Sequence, residues 1–242
     1  MKNMNKTNYN WLEIKAHPDL HKEVMNIINS LKLSKDIKIL ILAAWTWAFD
    51  NRLIDNWFNN IVSAEINETW YKYNKELVDF IKIDLNSKFS EQISWKYDLI
   101  IAMEIIEHVY NPNNFLLEWK KLLKDEKSFF IVSTPNLHNI FSRINFLLFW
   151  YPNYFIVKPD LYDHVSPIFD NIFEHYCEIN NIIINNRFYK SSFFRHFQIH
   201  WLRSYVYLLL ILLLLPFVFV FSLFNRNILF WISSIYLLKK SK

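Results

Sequence analysis

The sequence predicts an α/β fold, a doubly wound and mostly parallel sheet with helices on both faces. Three observations predict it. First, short and nearly uninterrupted apolar runs at Ile39 to Leu42, Tyr97 to Met103 and Ser128 to Ser133 read as parallel strands buried on both sides. Second, stretches with apolar residues at helical spacing alternate with them, such as His21 to Leu33 and Asn111 to Leu123. Third, the first run passes through a short turn, Ala43 to Trp47, into a helix carrying Phe49, Leu53 and Ile54. A strand–turn–helix at the carboxyl edge of an open sheet is where such folds bind nucleotide-like ligands.

Taken in order, residues 1–22 are a polar lead-in without the apolar core of a signal peptide. In the helix from His21 to Leu33, Val24, Ile27, Ile28 and Leu31 share one face, expected to pack across the sheet edge or over the ligand. Strand one is Ile39 to Leu42, followed by a helix from Ala48 to Asn56. Strand two is Asn60 to Ile66, with Glu65 near its end. Residues 71–76 are a short helix or loop. Val78 to Ile83 alternates as strand three and leads into Asp84 and Leu85. Tyr97 to Met103 is strand four. The next helix turns Phe115, Leu116, Trp119, Leu122 and Leu123 inward, and Ser128 to Ser133 is strand five. Residues 137–175 are aromatic and proline-punctuated, which suggests an insertion with short helices. Asn181 to Phe188 is a sixth strand and Ile228 to Leu238 a closing one. The organisation is therefore a lead-in and helix (1–35), a ligand-binding core (36–136), an acceptor-side insertion with the sixth strand (137–203), an apolar segment (204–226), and a closing strand with a basic tail (227–242).

Composition adds an anomaly. The chain has 242 residues, no glycine and ten tryptophans. At average usage, about 17 glycines are expected. Trp57, Trp70, Trp95 and Trp201 stand in polar, turn-like contexts where glycine is the usual punctuator. One reading is that several tryptophan positions are glycine in the working protein, encoded by a UGA codon that means glycine at its source. A tryptophan-rich natural chain and a deliberately glycine-free variant are the alternatives; residues such as Ala43, Glu126 and Lys127 also stand where glycine is expected. The single cysteine, Cys177, excludes an internal disulfide framework and suits a reducing compartment. A net charge of +4 without a basic stripe is poor support for nucleic-acid binding.

In this order the features resemble the class I S-adenosylmethionine-dependent methyltransferases, in particular the branch with ubiquinone-biosynthesis O-methyltransferases and glycan-modifying enzymes. The resemblance covers about residues 36–136 and more weakly continues to about 185. It implies a Rossmann-like sheet, mostly parallel with an antiparallel last strand, and S-adenosylmethionine as cofactor. The family's glycine-rich first motif falls on Ile41 to Trp47. Ala43, Trp45 and Trp47 occupy its glycine positions, and Ile41 stands where an acid is common. An indole at 45 or 47 would fill the space of the methionine moiety. The resemblance implies that Glu65 holds the ribose hydroxyls, since a carboxylate can accept from both. It places Asp84 by the adenine amine, Leu85 against the ring, and Met103 and Glu104 at the cofactor edge. The run Glu104, Glu107, His108, Asn111, Pro112 matches the family's Glu-x-x-Glu-His and polar-Pro turn. His108 is a candidate general base because its ordinary pKa lies near neutrality; pairing with Glu107 to orient the loop is the structural alternative. His164, in a His-x-x-Pro-like element, is a second candidate. Ser133 to Asn136 is expected to shape the acceptor pocket.

No Cys/His metal spacing, phosphate loop or serine nucleophile elbow is present, and no metal is expected; His196 and His200, four apart, read as a solvated face. Tyr205 to Phe224 is about 20 residues without charge, or roughly 30 Å of helix. It could span a membrane, dip in at Pro216, or be buried. Because a span would strand the closing strand across the bilayer, a helical insertion that dips and returns is expected, its Arg and Lys flanks at the headgroups. The expected function is methyl transfer to an oxygen of a lipid-linked glycan or quinone-like acceptor, on a membrane-associated protein with its catalytic domain cytoplasmic. The alternative is an inactive methyltransferase-fold protein serving as a membrane or partner-binding module.

Overall fold

The computed structural model describes residues 8–17, 19–68, 77–155, 164–190, 209, 213 and 231–241. A two-stranded hairpin, β1 (Asn8–Tyr9) with β2 (Leu12–Glu13), precedes helix α1 (Leu20–Ser30). Then come β3 (Ile39–Leu42), α2 (Ala48–Asp55), β4 (Ile61–Glu65), β5 (Asp79–Lys82), β6 (Leu99–Met103), α3 (Pro112–Leu122), β7 (Phe129–Pro135), α4 (Ile140–Phe149), α5 (Asp170–Ile179), β8 (Ile182–Lys190) and β9 (Ser233–Lys240).

Seven strands form one sheet in the order β5-β4-β3-β6-β7-β9-β8. The order reverses at β3, which pairs in parallel with β4 on one side and β6 on the other, Ile39 facing Ile61 and Leu99. The crevice at that switch point is the place where open α/β sheets bind ligands. The pairs β4–β5 and β6–β7 are also parallel, whereas β9 runs antiparallel between β7 and β8. The expected mostly parallel sheet with an antiparallel last strand is thus present.

β3 lies in mid-sheet because its alternate side chains are apolar on both faces. Leu40 and Leu42 enter one core with Tyr97, Phe115, Trp119 and Phe130. Ile39 and Ile41 enter the other with Val24, Ile28, Phe49 and Leu53. Helix α3 begins cleanly because Asn111 accepts the Asn114 N–H at 3.0 Å and Pro112 holds the first helical position. Its Trp119 is fully buried with its ring centroid 4.1 Å from that of Phe130.

Three expectations change. The polar lead-in contains the β1–β2 hairpin, pinned by Tyr9, whose hydroxyl donates to Asp55 while its ring lies 3.9 Å from the Arg52 guanidinium. Of the expected closing strand, residues 228–230 lie outside the described residues, and the strand runs Ser233–Lys240, two residues beyond the expected end. The membrane-associated location is corrected: among the described residues no helix is long and apolar enough to cross a membrane. The longest of them, α1 and α3, have 11 residues, about 16 Å of helix against a hydrocarbon core of about 30 Å. The apolar stretch 205–224 that motivated the expectation lies outside the described residues, apart from Leu209 and Leu213.

Candidate nucleoside site at the carboxyl edge of the sheet

The turn after β3 alternates into left-handed backbone: φ is 55° at Ala43, 54° at Trp45 and 69° at Trp47, and Trp47 then opens α2. These are the three positions that the resemblance assigns to glycine. The turn is closed by Trp47 N–H to the Ala44 carbonyl at 3.2 Å and held to the sheet by Ala44 N–H to the Ala64 carbonyl at 3.3 Å. Beneath it, Glu65 is 5% exposed. One carboxylate oxygen accepts the Trp45 N–H at 3.0 Å; the other accepts Ile66 N–H at 2.9 Å and Asn67 N–H at 3.3 Å. The carboxylate therefore faces the crevice and grips the turn's own backbone. Asp84, exposed after β5, accepts the Asn86 N–H at 2.9 Å, while Leu85 is buried in the same cluster as Ala43 and Ile106.

Met103 ends β6 against this turn, and with Ala43, Trp45 and Thr46 it lines a cavity of about 20 Å³, room for about one water. Lys15, Ala16 and His21 complete the wall from the N-terminal segment, which Thr46 anchors by donating its hydroxyl to the Glu13 carbonyl. Burial pushes the His21 imidazole down to about 3, with the Arg52 charge adding to the effect. The unfolded chain takes up this proton near pH 6.5, so between about 6.5 and 3 it binds protons that the folded state refuses. His21→Leu is therefore expected to flatten the acid-side loss of stability. Urea midpoints of the variant and its parent between pH 4 and 7 check this.

Glu104 follows in left-handed backbone at φ 48°. Its N–H donates to the Ser133 carbonyl at 3.1 Å, and its carboxylate accepts the His17 N–H at 3.1 Å and the Ser233 hydroxyl at 3.2 Å. Burial raises its pKa, and those two donors temper the rise. Glu107, in the 3-10 turn Ile106–His108, is fully buried. Neither of its carboxylate oxygens makes a well-formed hydrogen bond among the described residues. Burial, then the charge of Glu104, raises its pKa well above the ordinary value; its own N–H and the Thr134 hydroxyl only soften this.

His108 lies edge-on to Trp45 at 6.0 Å between ring centroids and to His164 at 4.5 Å. The segment after His164 is strapped to the turn: Val165 and Ser166 N–H both donate to the Glu107 carbonyl at 3.0 Å, and the Ser166 hydroxyl donates to the Val109 carbonyl at 2.7 Å. Ligating atoms of Glu107, His108 and His164 all lie within 4.8 Å of one another. Two imidazoles and a carboxylate in that arrangement can hold a divalent cation. Sequence spacing had suggested no such set, because His164 is remote in the chain. Ser233, His17 and Lys15 were likewise not anticipated. Nothing local marks them; they reach the site from 129 and 87 residues away from Glu104 in the first two cases.

The backbone and carboxylates of this edge suit a nucleoside, but its side chains do not. Trp47 is 5% exposed and its indole N–H meets no acceptor among the described residues. With Trp45 beside it, the remaining cavity is far smaller than the hundreds of Å³ that ligand pockets occupy.

No protein-family model matches the sequence, and no curated protein sequence matches it. Solved structures do match in fold. A SAM-dependent methyltransferase from Archaeoglobus fulgidus aligns with a TM-score of 0.60 at 14% identity, over 91% of this chain and 93% of the other. The magnesium protoporphyrin IX methyltransferase of Synechocystis PCC 6803, with S-adenosylhomocysteine bound, gives 0.59 at 11% identity over 92% and 83%. A S-adenosylmethionine-dependent methyltransferase from Clostridium acetobutylicum gives 0.58 at 12% over 92% and 91%. The architecture is thus the Rossmann-like fold of the class I methyltransferases, and at these identities the likeness is one of fold.

Proposed function

We propose that this protein is a S-adenosylmethionine-dependent methyltransferase acting on a small-molecule oxygen acceptor. The observation that carries the reading is the β3–α2 turn, left-handed at positions 43, 45 and 47 and gripped from below by Glu65, at the topological switch point of a methyltransferase-type sheet. When bound, S-adenosylmethionine supplies an activated methyl group. Ala43 and positions 45 and 47 offer it backbone, Glu65 the ribose contact, Asp84 and Leu85 the adenine contacts, and Met103 and Glu104 the remaining wall. His108, edge-on to Trp45, and His164 beside it are the groups that would take the proton of an acceptor hydroxyl. A quinone-like phenol or a sugar hydroxyl suits that role. The lipid linkage expected for the acceptor rested on the apolar stretch and has no support among the described residues.

The indoles at 45 and 47 favour a second reading, a methyltransferase-fold protein that binds no cofactor. Titration calorimetry with S-adenosylhomocysteine on Trp45→Gly/Trp47→Gly separates the two. Saturable binding supports the enzyme; a flat isotherm from a folded variant sinks it. In that variant, with labelled methyl donor and a panel of phenolic and sugar acceptors, His108→Gln is expected to slow transfer by about 10²-fold or more while leaving S-adenosylhomocysteine affinity unchanged. An equal loss of affinity would make His108 part of the cofactor wall instead.

A further inference from the structure

Left-handed backbone singles out particular tryptophans. Among the described residues, four stand at positive φ: Trp45, Trp47, Trp57 and Trp150, at 54°, 69°, 69° and 65°. In that region a Cβ crowds the following carbonyl, so glycine is favoured and a bulky side chain is an outlier. Trp95, which its polar context made a candidate, is not among them; Lys38 rests 3.8 Å from the centre of its ring. Trp70 and Trp201 lie outside the described residues.

Two of the four positions have nothing to do with a ligand. After α2, Phe58 N–H bonds the Leu53 carbonyl at 3.1 Å and Trp57 N–H the Ile54 carbonyl at 2.8 Å. Leu53 and Phe58 are both buried. That pair of bonds with its apolar contact is the helix stop whose left-handed residue is usually glycine. After α4, Trp150 N–H bonds the Phe146 carbonyl at 2.9 Å, the simpler left-handed stop. Trp57 is 81% exposed and Trp150 82%, the latter's ring edge-on to Phe146 at 6.5 Å between centroids, so neither indole gains enough burial to offset what the backbone loses. Trp119 is the contrast: helical, fully buried and packed on Phe130.

The chain meanwhile contains no glycine, although its backbone makes both kinds of stop and a triple left-handed turn. We infer that positions 45, 47, 57 and 150 are glycine in the working protein, read from UGA codons assigned to glycine, and that the cleft after β3 opens only then. The half concerning the cleft rests on the methyltransferase reading; the half concerning the helix stops does not. Removing the Trp45 indole takes away a side chain that walls the cavity, and removing the Trp47 indole empties core space packed with Phe49 and Met103, which line the same cavity.

The test has two arms. The coding DNA is expected to show TGA (UGA in the message) at all four positions and TGG at Trp119; TGG at 45, 47, 57 and 150 overturns the inference. Independently, Trp57→Gly and Trp150→Gly are each expected to raise Tm by about 2–4 °C, the shift that about 1 kcal/mol of relieved strain gives in a chain of this size. An unchanged or lowered Tm in both overturns the assignment at the helix stops. A raised Tm combined with no S-adenosylhomocysteine binding by Trp45→Gly/Trp47→Gly leaves glycine standing there and defeats the enzyme reading instead.

Discussion

Glu107→Gln is expected to make this protein more stable at pH 8, by about 1.4 kcal/mol for each pH unit over which only the folded state keeps the carboxyl proton. The parent carboxyl is fully buried, lacks a well-formed hydrogen bond, and sits near Glu104. Its folded pKa lies well above the ordinary value, whereas in the unfolded chain it titrates near 4.3. Between those two values the folded state keeps a proton that the unfolded state has released. Stability therefore falls as pH rises through that window and levels off above the folded pKa. An amide removes the slope that Glu107 contributes. Glu104 shifts in the same direction, but His17 and Ser233 temper it. His21 acts oppositely below about pH 6.5, so the comparison is cleanest from pH 6.5 to 8.5. Chemical denaturation of parent and variant across that range provides the check. A parent whose stability is flat there would show that Glu107 is already ionised and compensated by its histidine neighbours.

Glu65→Ala, made in the Trp45→Gly/Trp47→Gly chain, is expected to lower S-adenosylhomocysteine affinity by about 100-fold. Hydrogen bonds to a charged group are worth about 1.5–3 kcal/mol each, and 1.4 kcal/mol is tenfold in affinity. Glu65 already spends its oxygens on three backbone N–H groups: Trp45, Ile66 and Asn67. Its loss should therefore also loosen the turn and lower Tm. Adenosine competition separates the two effects. If the carboxylate holds the ribose, Glu65→Ala weakens adenosine as well as S-adenosylhomocysteine, and Glu65→Gln recovers part of both. If Tm drops while both affinities stay put, Glu65 only braces the turn.

Much of the architecture could be read from local pattern. Near-continuous apolar runs placed β3, β6 and β7 to within about two residues, because a parallel strand buried on both faces is mostly apolar. Helical spacing from Asn111 to Leu123 placed α3, and the structure adds the cap that Asn111 and Pro112 provide. The β1–β2 hairpin was not legible: Asn8 to Glu13 carries no turn dipeptide and little alternation, and packing of Tyr9 against Arg52 and Asp55 holds it. Tryptophan context was an imperfect guide as well. It picked out Trp57 but also Trp95, and it passed over Trp150 inside an apolar run, because neighbours in sequence do not report φ.

By itself, the sequence determined the parallel core, the place of the turn after β3 and the acids that follow the neighbouring strands, all of which depend on residues close together in the chain. Only the tertiary structure decided that Ser233 and His17 hold Glu104, that His164 meets His108, and that Glu107 is buried without adequate partners. Those contacts join segments brought together by sheet order and crossover, whose cost and geometry no local pattern of side chains encodes.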